Sequence, residues 1–280
     1  MHTNNRNLSL FCLLFILVIF FVTSQASAAL TAEDIANQVK EAMGTGATAE
    51  DAVKSAVASA IAEGMSAKDA ASAATKGAVE AAVTLRLDIN ATIQGAVMGA
   101  ASGAIAAGQD INAAIEGACQ GSISAAVAAG ADAQMAAQAA VGGSVNAAVQ
   151  HNQDSVLAAS AAVSGAVSGA AASGLSPEET ARVVYGSAQG ANAAATATGQ
   201  DASAIASGIE TAASSTAQAH GLDSGIMVAA AAAGQTDTTP PEAYSPPEMA
   251  PARGAPEAPA MPAPEHDPME PMPDPTASPV

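Results

Sequence analysis

The chain has 280 residues, half of them hydrophobic, and carries 26 acidic against 8 basic side chains, for a net charge of −18. This charge repels nucleic acid and anionic lipid headgroups, so neither is an expected partner. The chain has no tryptophan, two tyrosines and four phenylalanines. Small residues, mainly Ala, Val, Ile and Gly, must therefore build whatever core the protein has.

Residues 1–28 have the order of a secretory signal peptide. Arg6 precedes an apolar run from Leu8 to Val22, and the small residues Ala26-Ser27-Ala28 follow. The run is about 15 residues long, shorter than the ~20 needed to span a bilayer as a helix. We expect cleavage before Ala29 and a secreted protein, either extracellular or in the periplasm or cell envelope; an uncleaved anchor is the alternative.

Residues 29–236 form the predicted body, in which helix start signals recur every 22 residues. Each signal is a Ser or Asp that can accept hydrogen bonds from free backbone N–H groups, and most follow a helix-ending Gly by two positions. After a three-residue insertion the series continues twice more. The predicted helix caps are Ser66, Asp88, Asp110, Asp132, Asp154, Ser176, Asp201 and Asp223. This pattern predicts an all-α repeat of about 8–10 short Ala/Gly-rich helices.

The predicted helices are up to about 19 residues long and are joined by connections of about two residues. Such short connections favour side-by-side packing of successive helices. The first two helices, which start at Thr31 and Thr48, are about one turn shorter than the others. We expect these two helices to cap one end of the body.

One position in five consecutive repeats is always glycine. A glycine inside a helix costs about 1 kcal/mol relative to alanine, so close approach of a neighbouring backbone must offset the cost. We therefore expect a tight helical stack or solenoid, packed through grooves of Gly and Ala. The predicted packing glycines are Gly77, Gly99, Gly121, Gly143 and Gly165.

Residues 237–280 differ sharply from the body. Proline recurs every few residues among Ala, Glu and Met, and little apolar surface is available for burial. This composition predicts an acidic, Pro-rich, disordered tail. His266, Met269 and Met272 within it could bind Cu(I), which makes a copper-binding tail one alternative.

The sequence contains no motif that would carry catalysis. It lacks a phosphate-binding loop, a nucleophile elbow and a zinc-ligand motif. His151 and His220 follow predicted helices, where an imidazole can meet free carbonyl groups. We expect Cys119 to be a buried apolar residue, and the capping Asp residues leave a weak cation site open as an alternative. No catalytic, cofactor-binding or metal-binding residue is predicted, and the protein is not expected to be an enzyme.

These features favour a secreted or cell-envelope structural protein that acts through helix packing. Its expected partner is a second copy of itself or another envelope or extracellular protein. Residues 73–174 resemble the glycine-zipper pattern of membrane oligomers, which implies a membrane-active protein as the alternative. Polar residues along each helix argue against insertion. An ice-binding or surface-binding protein is a further alternative.

Overall fold

The structure is a computed structural model, and it describes residues 30–236. The predicted signal peptide and the Pro-rich tail lie outside these residues. Within them the chain forms ten α-helices and no β-strand, which confirms the all-α prediction. The helices are α1 (Ala32–Gly44), α2 (Ala49–Ala62), α3 (Ala67–Leu85), α4 (Ile89–Ala106), α5 (Ile111–Ala128), α6 (Ala133–Gln150), α7 (Ser155–Ala172), α8 (Pro177–Thr198), α9 (Ala202–Ala219) and α10 (Ser224–Thr236).

Side-chain caps and left-handed residues determine where the helices begin and end. Before α4, the Asp88 carboxylate accepts a hydrogen bond from the backbone N–H of Ala91 at 3.0 Å. After α5, Gly130 takes a φ of +71°, which ends the helix without a side-chain clash. Arg86 and Asn152 occupy the same kind of position with φ of +57° and +53°, so the chain turns there despite a side chain.

The helices are arranged in two rows. Each helix contacts the helices one and two positions away along the chain, so α1, α3, α5, α7 and α9 form an odd row and α2, α4, α6, α8 and α10 form an even row. Within residues 30–236, α1 and α2 do not contact α9 or α10. The described body is therefore an open stack rather than a closed ring.

Successive helices do contact each other, as expected from the short connections, but the closest backbone approaches lie between alternate helices. Each connection carries the chain from one row to the other, so a helix has its in-row neighbour two positions away. The helix starts visible in the sequence do not contain this information.

One contiguous hydrophobic cluster extends through all ten helices and consists mostly of alanine. Its largest fully buried side chains include Ile93, Ile115 and Met227, and the buried residues described include no aromatic ring. Because alanine buries little area per residue, close helix approach must supply the packing contacts.

Candidate functional site

The most distinctive feature of the body is the way glycines receive a neighbouring backbone. A methyl carbon added at Gly77 would lie 2.5 Å from the carbonyl oxygen of Ala36, which belongs to the preceding helix of the odd row. At Gly143 the corresponding oxygen, that of Gln94, would lie 2.9 Å away. Gly99, Gly121 and Gly165 approach the carbonyls of Glu50, Ser72 and Glu116 even more closely. All five predicted glycines thus face the helix two positions earlier, where a side chain would collide with backbone.

The pairs keep one register. Gly117 meets Lys68 and Gly121 meets Ser72, so each pair is 49 residues apart and both members advance by four along the chain. Helices within a row are therefore parallel. The same separation recurs at Glu50/Gly99, Lys54/Gly103, Gln94/Gly143, Glu116/Gly165 and Gln120/Gly169.

The register changes by three residues at α8. Gly186 meets the carbonyl of Gln134 and Gly190 meets that of Gln138, both 52 residues away. α8 is 22 residues long, whereas α4 to α7 each have 18, so it accommodates the insertion within the helix. The glycines keep their contacts because the extra residues add about one turn.

Sequence reasoning overlooked several glycines that make the same approach. Gly103, Gly117, Gly169, Gly186, Gly190 and Gly234 each face a backbone carbonyl of the in-row neighbour. Most of them lie four residues from another packing glycine, so the spacing within a helix was the available signal. Gly95 differs, because a methyl carbon there would lie 3.6 Å from its nearest neighbour, the Glu50 nitrogen.

The predicted caps lie at helix N-termini and bond to their own helices. Asp110, Asp132, Asp154, Asp201 and Asp223 each accept a backbone N–H two residues ahead, at 2.8–3.0 Å. Ser66 accepts the N–H of Asp69 at 3.1 Å, and Ser176 accepts that of Glu179 at 3.2 Å. Within residues 30–236, no three His, Cys, Asp or Glu side chains come together as a metal site. The described geometry therefore offers nothing in favour of a cation ladder.

Two capping acids have shifted acidities. The backbone N–H of Ser176, followed by its hydroxyl, lowers the pKa of Glu179. For Asp34 the Thr31 hydroxyl is the larger cause, followed by the Thr31 backbone N–H, and the pKa is again lowered. Both carboxylates are held in reciprocal capping boxes at the starts of α1 and α8.

The two histidines bond to serines rather than to helix-end carbonyls. His151 Nε2 lies 2.9 Å from Ser102 Oγ, and His220 Nε2 lies 3.2 Å from Ser168 Oγ. Each imidazole follows the last residue of a helix and reaches the neighbouring helix of its own row. The expected carbonyl partners were wrong, because the parallel register brings a serine hydroxyl within closer reach.

Further polar contacts join the odd row. Lys40 pairs with Glu80, and Lys68 pairs with Glu116, both at 2.7 Å. The buried Thr75 hydroxyl lies 2.9 Å from the Ala71 carbonyl oxygen and 3.1 Å from that of Ala118 on α5. Sequence reasoning overlooked these contacts because their partners lie 40 or more residues apart.

Cys119 is fully buried, and its thiol lies 3.5 Å from Ser144 Oγ. Burial raises the pKa of the thiol to about 12. The expectation of a buried small residue is confirmed. A neutral, inaccessible thiol is a poor nucleophile and a poor metal ligand.

The described surface has shallow grooves. The largest, about 540 Å³, lies between α7 and α9 and is lined by Ala, Ser and Thr side chains with Leu157 exposed at its edge. A smaller one of about 250 Å³ lies near Asp132, Glu179 and Arg182. These grooves have the chemistry of helix–helix surfaces rather than of an assembled reaction centre.

One described helix, α7 (Ser155–Ala172), is long and apolar enough to cross a membrane by length and composition alone. In the stack, 56% of its residues are buried against other helices. A buried core helix passes the same test, so this observation is weak evidence for a membrane span.

Comparison with protein-family models gives no match, and comparison with curated proteins gives no similar sequence.

Proposed function

We propose that the protein is a secreted or cell-envelope structural scaffold, built from a 22-residue helical repeat and acting through its surface without catalysis. The repeated approach of backbone carbonyls to in-row glycines supports this proposal. Residues 1–28 direct export, residues 29–236 form a stiff rod-like body, and the disordered tail 237–280 extends from its end. The partner is a second copy or another protein of the envelope or extracellular space.

The structural role agrees with how the conserved register uses the chain. Ten helices repeat one contact, and the polar groups that cross between them bond to other residues of the body. Such a linear array keeps a fixed spacing between its surface features. A scaffold needs this property, whereas an enzyme of this size would need a reaction centre as well.

Cell fractionation of the native host, combined with N-terminal sequencing, tests the proposal. We expect the protein in the envelope or medium with Ala29 as its first residue. A deletion strain should show altered envelope integrity or altered retention of an envelope protein, restored by the full chain. Full-length chain confined to the cytoplasm would contradict the proposal.

A membrane-active oligomer is the second candidate, and the apolar character of α7 is the observation that favours it. Leakage of a trapped dye from lipid vesicles separates the two functions. The scaffold proposal predicts no leakage at concentrations where the chain is folded. Leakage abolished by a charge within α7, such as Leu157→Lys at its exposed position, would favour the membrane function.

A further inference from the structure

The two ends of the stack differ in chemistry. At the N-terminal end, α1 exposes Glu33, Asn37, Gln38 and Glu41, so its outer side is polar and charged. At the C-terminal end, α10 contains no charged residue. Solenoid ends that face water normally carry a polar outer surface, as α1 does and α10 does not.

The exposed side of α10 is a continuous apolar stripe. Ile226 is 48% exposed, and Ala229 and Ala233 are exposed beside the half-buried Ala230. These four residues, which we name the α10 face, recur at the i, i+3, i+4, i+7 spacing of one helix side. On the opposite side Met227, Ala231 and Gly234 are buried against the stack.

The α10 face lies where the in-row packing stops. Each helix from α3 to α8 packs between two neighbours of its own row, whereas α9 and α10 each have one. The face therefore continues an interface that recurs through the whole body. Its alanines would let another helix approach closely, as the small residues inside the stack do.

The N-terminal end of another copy does not fit this face. α1 and α2 contain no glycine before their last turns, so they lack the groove that receives a carbonyl in every later helix. Burying the α1 surface would also remove Glu33 and Glu41 from water without a partner. Head-to-tail growth is thereby disfavoured, and the C-terminal end of a second copy is left as the matching surface.

We propose that two copies associate through their C-terminal ends, with the α10 faces packed about a two-fold axis. The inference rests on the proposed scaffold function. α9 and α10 are about 27 and 20 Å long at 1.5 Å per residue, and each is about 10 Å wide. Together they offer on the order of 500 Å² per copy, the size of a transient interface. The dimer dissociates in the micromolar range and closes at two copies.

Light scattering coupled to size exclusion tests the proposal on the exported chain over about a hundredfold range of concentration. We expect the mass to rise from one to two chains and to stop there. Ile226→Glu places a charge on the α10 face and should hold the chain at the monomer mass with unchanged helicity. Gln38→Glu, the same charge change on the exposed side of α1, should leave the dimer intact.

Several results would overturn the proposal. These are a monomer at every concentration, a dimer that Ile226→Glu does not affect, or assembly that continues beyond two copies. Dimerisation that appears only after removal of 237–280 would identify the tail as the cover of the face. Vesicle binding lost in Ile226→Glu, without any dimer, would identify a lipid surface. A monomeric, exported and non-leaking chain would reject this interface yet leave the scaffold function standing.

Discussion

Arg86 shows how a single residue can work against the turn it occupies. It ends α3 in the left-handed conformation, with φ of +57°, where the equivalent turns use Gly108 and Gly130. The left-handed conformation strains a residue with a Cβ atom and does not strain glycine. Asn152, with φ of +53°, is better tolerated because its short amide can bond locally.

Arg86→Gly should therefore stabilise the body by about 0.5–1 kcal/mol, the relief of strain less the added freedom of the unfolded chain. Urea unfolding followed by circular dichroism measures the change. Gly108→Ala is the matched control, because no atom lies within 4 Å of the added methyl group and φ is +69°. It should destabilise the body. Equal effects of the two changes would refute the strain argument.

Cys119 provides a second test at the residue scale. Because its pKa is raised to about 12 and its side chain is inaccessible, the thiol should not react with a disulfide reagent at pH 8 in the folded protein. Reaction should proceed at the rate of unfolding and become fast in denaturant. Rapid labelling of the native chain would contradict the described burial.

Glu179 links a helix start to pH. Folding lowers its pKa below the ordinary value of 4.5, so its contribution is complete above that value and is lost as the pH falls through the lower folded pKa. Glu179→Gln can still accept the Ser176 N–H bond but cannot titrate. The fall in melting temperature between pH 5 and pH 2 should be smaller in this variant than in the parent. An identical acid profile would mean that the capping box contributes nothing measurable.

At the scale of the helix, the sequence is most informative about where elements begin. Asp88 and Asp110 could be placed at N-termini because an Asp before a run without breakers can satisfy free N–H groups, and α4 and α5 start directly after them. The pairing of helices could not be predicted. Spacing along the chain does not say whether the next helix or the one after it is the closest neighbour, and the Ser102–His151 contact depends on that choice.

The packing of α5 on α3 can be tested with one bulky residue. Gly121→Leu would drive a side chain into the Ser72 carbonyl and the Thr75 hydroxyl, so it should lower stability by several kcal/mol or unfold the body. Thermal unfolding by circular dichroism reports the change. Ala128→Leu adds the same side chain at an exposed position of α5 and should melt like the parent. If Gly121→Leu also melts like the parent, the groove argument fails.

At the scale of the whole molecule, stability resides in contacts between neighbouring helices. Because each helix contacts only those one and two positions away, the described body resembles a one-dimensional array. We expect removal of 237–280 to leave the melting temperature and helicity unchanged, since the body closes its contacts without the tail. A large loss of helicity in the truncated chain would show that the tail belongs to the fold.

The central claim is that glycines are retained in these helices because a neighbouring backbone occupies the space of a side chain. Gly95 and Gly99 test it within α4, since a methyl group fits at Gly95 and meets the Glu50 carbonyl at Gly99. The decisive measurement is the free energy of unfolding in urea for Gly95→Ala and Gly99→Ala. The account predicts stabilisation by up to about 1 kcal/mol at Gly95 and destabilisation by about 1–3 kcal/mol at Gly99. Stabilisation at both positions would contradict it.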